Sequence, residues 1–307
     1  MVDRREEALL RSITREAWLA MSNELGTPKL LTPLDAPLGA VVQDIDASRP
    51  LPPRLVLDLK QGLLDHHILI FKGQDLTAEQ LKAFATYFGS VFQSPPDVPV
   101  LASATGGTAP DVVLVANVDG GYTGSGELSP HSDHHWTPYP SAGSLLYALE
   151  LPPQGGDTSF YNMHLAYEAL DTATKRRIDA LQLITYNPFL HDKNEPRAKY
   201  RFENKELISP VFPHPLVRTH PNSGKRILYL DSSTEVEVVG LSAQEGSQLI
   251  AELRAHFEQD RFRYAHRWTV GDIVYWDNQA VLHARSAFDP NSRRVLQRVS
   301  LAGSRPF

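Results

Sequence analysis

The chain has no cysteine among its 307 residues. That absence excludes disulfides, thiolate-held zinc or iron–sulfur centres and cysteine nucleophiles, so any bound metal must be held by nitrogen and oxygen. Positive charge is also scarce: 30 Lys and Arg stand against 36 Asp and Glu, for a formal net charge of -6 and a sequence pI of about 6.1. No basic field exists to displace counterions from a nucleic acid or to hold an anionic bilayer, so neither is an expected partner. Long apolar runs are missing as well. The stretch 67–71, HILIF, is among the longest, far below the roughly 20 residues that a bilayer span needs. The charged N-terminal segment carries no apolar signal stretch, and the expected location is the cytoplasm. Internal repeats and low-complexity tracts are absent too. What the chain does have is 42% hydrophobic residues, enough to bury one large core.

Short strand-like runs recur at 39–42, 68–71, 112–115, 144–151, 158–161, 227–230, 273–276 and 295–301. Residues 77–80 (TAEQ) and 242–245 (SAQE) are capping boxes opening helices with apolar faces at Leu81/Phe84/Phe88 and Leu249/Leu253/Phe257. A third amphipathic helix is expected over 166–181. Residues 1–30 read as a helical extension, with its helix over 4–21, and 31–307 as a single domain. Within that domain, the polar, proline-punctuated stretch 187–209 has the length of a lid loop. Many short strands with little helix alternation argue against a doubly wound parallel sheet. They predict a mainly β fold with flanking helices, built on a jelly-roll core, the cupin-like double-stranded β-helix.

Chemistry concentrates in residues 130–136, PHSDHHW. In extended chain, side chains two apart share a side, so His131 and Asp133 can offer an imidazole and a carboxylate to one point. With 12 histidines in the chain, chance alone supplies about one His-x-Asp, and the pair gains meaning only from its company. That company is His283, followed by Arg294 and Arg298 in a closing strand-like segment. Two histidines and one carboxylate leave three positions of an octahedral metal open, the arrangement that suits non-heme Fe(II).

These residues, with GAV at 39–41, DID at 44–46, ILIFKGQ at 68–74, GGDTSFYNM at 155–163, HPLVRTHP at 214–221, WDN at 276–278 and RRVLQR at 293–298, carry a resemblance in order and spacing. The chain resembles the taurine dioxygenase (TauD/TfdA-like) family of Fe(II)/2-oxoglutarate-dependent oxygenases. The resemblance implies that His131, Asp133 and His283 bind Fe(II), that Thr158 and Arg294 hold the far carboxylate of 2-oxoglutarate, and that Arg298 meets an anionic group of the primary substrate. A guanidinium grips a carboxylate through paired charge-assisted hydrogen bonds, and a threonine hydroxyl adds another. The implied reaction consumes 2-oxoglutarate and O2, releases succinate and CO2, and oxidises a small organic molecule. Family members that halogenate have a small residue in place of the carboxylate ligand, so Asp133 favours hydroxylation. A homo-oligomer is the family expectation.

Several positions depart from the taurine enzymes. Pro130 replaces their tryptophan before the metal histidine, residues 90–96 lack the histidine that grips a sulfonate, and Glu127 stands where they carry asparagine. Taurine is therefore not the expected substrate. Glu127 facing a substrate amine, with Arg298 on a carboxylate or sulfonate, would suit an amino-acid-like molecule. Trp136 and His135 are further candidate substrate contacts, whereas His134 is expected to point away from the metal. His66, His67, His214 and His220 read as structural. Two other classes compete: a zinc hydrolase using the same three ligands, for which the Thr158–Arg294 pair has no use, and a non-catalytic jelly-roll binding protein, which needs no metal ligands. Desaturation or decarboxylative oxidation would leave the same sequence marks as hydroxylation.

Overall fold

The computed structural model of the protein describes residues 30–95, 98, 100, 101, 110–185, 187, 212–231 and 235–307. The helix expected at 4–21, and all of the expected lid but Asn187, lie outside the described residues. Along the chain run β1 (Leu31–Pro33), β2 (Ala40–Val42), α1 (Pro53–His66), β3 (Ile68–Phe71), α2 (Ala78–Thr86), β4 (Val113–Ala116), β5 (Leu128–His131), β6 (Gly143–Glu150) and β7 (Thr158–Asn162). Then follow α3 (Met163–Glu168), α4 (Thr172–Ile178), β8 (Gln182–Thr185), β9 (His214–Pro215), β10 (Val217–Thr219), β11 (Arg226–Leu228) and β12 (Glu235–Val238). The chain closes with α5 (Ala243–Phe257), β13 (Arg263–His266), β14 (Ile273–Asp277), β15 (Val281–Arg285) and β16 (Val295–Leu301).

Two sheets make the jelly roll. The larger has seven strands in the order β1-β2-β3-β14-β6-β16-β4, and the smaller has four in the order β13-β7-β15-β5. All their pairings are antiparallel except β2 with β3. Side-chain alternation explains how they pack. On β14, Val274 and Trp276 point into a cluster with Ile68, Ile70, Leu146 and Leu296, and with Phe160 and Val281 of the smaller sheet. Ile273 and Tyr275 point the other way, to Leu59 and Leu63 of α1 and Leu81 and Phe84 of α2. Both faces being covered, every residue of β14 is buried. Trp276 bridges the sheets, its ring 5.8 Å from Phe160 and 4.8 Å from His283. Truncating a packed side chain of that size costs about 3–5 kcal/mol. The outer face of the smaller sheet is covered by Met163 and Ala166 of α3, Ile178 of α4 and Leu249, Leu253 and Phe257 of α5.

Local chemistry sets the helix ends. Both expected capping boxes form: Thr77 with Gln80, and Ser242 with Glu245. The single helix expected over 166–181 is two. Asn162 caps the first by accepting from the Leu165 N–H, and Asp171 starts the second by accepting from Ala173 and Thr174, because an Asp carboxylate satisfies donors that a continuous helix would leave to its own carbonyls. Helix α1 is not among the expected elements. Pro53 occupies its first turn, where the missing N–H costs nothing, and His67 ends it in the left-handed region at φ 63. No helix among the described residues is long and apolar enough to cross a membrane.

Candidate metal and cosubstrate site

The smaller sheet assembles the centre. His131 ends β5 and His283 sits mid-β15, and the two are direct cross-strand partners with rings 4.2 Å apart. Asp133 lies just beyond β5, in a turn rather than in the extended chain expected for it. Each residue brings one donor atom, and the three atoms lie within 4.8 Å of one another. His131 Nδ1 lies 2.8 Å from the Ser129 carbonyl. Donation there would leave Nε2 with its lone pair for a metal, the arrangement common to metal-binding histidines. Burial, then the neighbouring His131, holds His283 down to about 3, so it is a neutral ligand at pH 7. Burial alone would raise Asp133, but Arg298, followed by the nearby histidines, drives it well below the usual carboxylate range. Two imidazoles and a carboxylate held ionised by Arg298, converging from nitrogen and oxygen atoms only, fit a divalent iron site with open positions.

The turn bearing Asp133 is held by Asn278, from the link between β14 and β15. Asn278 Oδ1 accepts from the Asp133 N–H at 3.0 Å, while Nδ2 donates to the carbonyls of Asp133 and Ser141, both at 3.0 Å. Ser144 Oγ reaches the carboxylate itself at 3.3 Å. The sequence marks Asn278 only as part of a motif, because its role depends on a turn about 140 residues earlier in the chain.

The centre opens into a cavity of about 540 Å³ whose lining includes Thr158, Arg294 and Arg298. Thr158 begins β7, and its hydroxyl oxygen accepts from Trp268 Nε1 at 3.0 Å, which leaves its own proton free for an incoming anion. Arg294 is 2% exposed. Its Nε donates to the Gly156 carbonyl at 3.0 Å, and its backbone N–H donates to Asn117 Oδ1 at 2.8 Å. Burial first, then the charge of Arg285, pushes the Arg294 guanidinium down to about 9. Arg298, from β16, sends Nη1 to both Asp133 oxygens, at 3.0 and 3.1 Å. It therefore links the larger sheet to the metal carboxylate, a contact absent from the sequence reading.

The remaining candidates divide. Glu127 and Trp136 line the cavity, Glu127 from its exposed rim. His135 does not: it is fully buried with its ring 4.4 Å from Tyr229 and 5.6 Å from His214. His134, expected to point away, lines the cavity instead and stacks on Phe92 with ring centres 3.9 Å apart. The cause is one backbone angle. His134 has φ 62, in the left-handed region, so strand alternation stops at His131 and no longer says which neighbour faces the metal. Of the histidines read as structural, His67 caps a helix, His214 lies 2.8 Å from the Thr137 carbonyl, and His220 Nε2 lies 2.9 Å from Asp277 Oδ2. Arg285 was missed. It lies two residues beyond His283, on the same side of β15, and it also lines the cavity.

A jelly roll presenting two histidines and a carboxylate beside a buried arginine–threonine pair defines a mononuclear oxygenase that uses an oxoacid cosubstrate. Comparison with known proteins agrees. The profile of the taurine catabolism dioxygenase TauD, TfdA family matches residues 30–300. The chain is 33% identical over 280 residues to the alpha-ketoglutarate-dependent 2,4-dichlorophenoxyacetate dioxygenase of Cupriavidus pinatubonensis, covering 87% of this chain and 96% of that protein. Among solved structures, a taurine dioxygenase from Burkholderia xenovorans superposes with a TM-score of 0.73 at 29% identity, covering 90% of this chain and 91% of that one. AAD-2 in complex with Mn(II) and N-oxalylglycine gives 0.72 at 29%, covering 90% and 98%. The chain belongs to the TauD/TfdA family, and it is a non-heme iron dioxygenase that uses Fe(II), 2-oxoglutarate and O2.

Proposed function

We propose that this dioxygenase hydroxylates a small anionic organic molecule, with His131, Asp133 and His283 as the iron ligands, Thr158 and Arg294 on the far carboxylate of 2-oxoglutarate, and Arg298 on the side of the primary substrate. The observation that carries the assignment is the convergence of three donor atoms within 4.8 Å at the floor of a cavity that also holds Thr158 and Arg294. Bound Fe(II) supplies the activation of O2, coupled to conversion of 2-oxoglutarate to succinate and CO2.

The chain's own residues bind and orient. Arg298 keeps Asp133 ionised and turned to the metal, and its remaining guanidinium nitrogens extend positive charge toward the substrate. Asn278 fixes the turn that carries the Asp133 carboxylate. Leu146, Val115 and Trp276 give the cavity an apolar wall, which excludes water and holds the hydrocarbon part of a substrate. An anionic substrate is also what the names of the similar enzymes describe: a phenoxyacetate for one, taurine for another. The lack of a sulfonate-gripping histidine in 90–96 favours a carboxylate over taurine. A zinc hydrolase would leave a buried arginine and threonine without purpose.

The test is anaerobic. Fe(II) and then 2-oxoglutarate are added to metal-free protein, and the visible spectrum is recorded for wild type, His131→Ala and Arg294→Ala. A weak charge-transfer band in wild type, abolished in His131→Ala and needing far more 2-oxoglutarate in Arg294→Ala, supports the assignment and opens a screen of anionic substrates by succinate release. No band in wild type, or an undiminished band in His131→Ala, sinks it.

A further inference from the structure

A second buried arginine lines the cavity that also holds Arg294 and Thr158. Arg285 is 6% exposed and lines the same cavity. It is the cross-strand partner of Thr158 in the β15–β7 ladder, so the two side chains leave the sheet on one face. Nη2 donates to the Gly126 carbonyl, while Nε and Nη1 are buried and have no hydrogen-bond partner. The guanidinium also lies 5.3 Å from the centre of the Phe288 ring. No carboxylate among the described residues forms an ion pair with it. Desolvated guanidinium donors of this kind cost free energy unless an acceptor meets them. Arg285 and Arg294 are close enough for their charges to act on one another. Two largely buried like charges lining one cavity with a threonine hydroxyl call for an anion between them.

Building on the assignment above, we infer that Arg285 is a second cationic contact for the far carboxylate of 2-oxoglutarate, so that this end of the cosubstrate is held by two arginines and Thr158. Arg294 approaches from β16's entry and Arg285 from β15, with Thr158 opposite Arg285 on β7. The competing role is purely structural: Arg285 would pin the rim at Gly126 and touch no ligand. The two roles differ in what they do to oxoacids with and without a far carboxylate.

The experiment compares 2-oxoglutarate with 2-oxobutyrate, which chelates a metal through the same oxoacid end but has no second carboxylate. Dissociation constants are read anaerobically from the charge-transfer band of the Fe(II) protein and, independently, by calorimetry with Mn(II). Arg285→Met keeps the length and the contact with Phe288 but removes the charge, and Arg285→Lys restores it. The expected result is a dissociation constant for 2-oxoglutarate about 10- to 100-fold higher in Arg285→Met, no more than a twofold change for 2-oxobutyrate, and partial rescue in Arg285→Lys. Equal weakening of both acids, or no change in either, overturns the inference in favour of the rim pin. If Arg285→Met does not fold, the double variant Arg294→Met/Thr158→Ala decides: a remaining preference for 2-oxoglutarate over 2-oxobutyrate supports a second cation, and parity overturns it. Failure of wild type to bind either oxoacid would instead count against the assignment of the site itself.

Discussion

At the scale of single residues, the site depends on close approach. Gly156 has φ +73, and a Cβ there would stand 2.9 Å from Arg294 Nε and 3.0 Å from its Cδ. Only glycine lets the guanidinium lie along the backbone and donate to the carbonyl of residue 156. Gly156→Ala is therefore expected to weaken 2-oxoglutarate binding about tenfold by displacing Arg294, and to cost about 1–3 kcal/mol from left-handed strain. Calorimetric titration and urea unfolding check the two effects separately, and unchanged affinity would refute the first. At this scale the sequence was legible for the convergence of His131, Asp133 and His283 and for the place of Arg294 in the cavity lining. It was not legible for His134 against His135, which a single left-handed residue exchanges, nor for Asn278 and Trp268, whose partners come from distant segments.

At the scale of elements, Asp272 ties three strands together. Just ahead of β14, its carboxylate accepts from Lys72 at the end of β3 at 2.7 Å and from the Thr269 N–H at 3.0 Å, and lies 3.1 Å from His266 Nε2 of β13. Burial works to raise its pKa, yet the hydrogen bonds from His266, Lys72 and Thr269 prevail and lower it. A carboxylate lowered in the folded state stabilises fully above its unfolded value near 3.8 and loses that contribution as pH falls through the folded value. Asp272→Asn should then lose about 1–3 kcal/mol at pH 7. Its unfolding curve should converge with that of wild type in acid, and a gap independent of pH would contradict the linkage. The continuous apolar run of β3 and the mixed run of β16 were legible to the residue. The runs at 39–42, 112–115 and 144–151 appear with ends shifted by one. Helix α1, absent from the expected elements, opens on a Pro52-Pro53 pair, with Pro53 in the first turn where no N–H is needed.

For the whole molecule, the centre draws on both sheets: His131 and His283 from the smaller, Arg298 from the larger, and Asp133 on a turn clamped by the link between them. Binding at such a crossing stabilises the folded state alone, because the unfolded chain holds no such site. Mn(II) with 2-oxoglutarate at about 100 times the dissociation constant should add about 2.7 kcal/mol, read as a rise in melting temperature. His283→Ala should melt at the same temperature with and without Mn(II), and a persisting metal-dependent rise would show that the ion binds elsewhere. The jelly roll and the nitrogen–oxygen chemistry of the centre were legible at this scale, since many short strands and the lack of cysteine leave few other solutions.

The direct pairing of His131 with His283 also orders events during synthesis. About 150 residues separate the two, so at about 5–20 residues per second roughly 8–30 s pass between their emergence from a ribosome. For all that time the first histidine and its aspartate wait on an incomplete sheet. During synthesis the metal therefore meets all three ligands only once β15 has emerged.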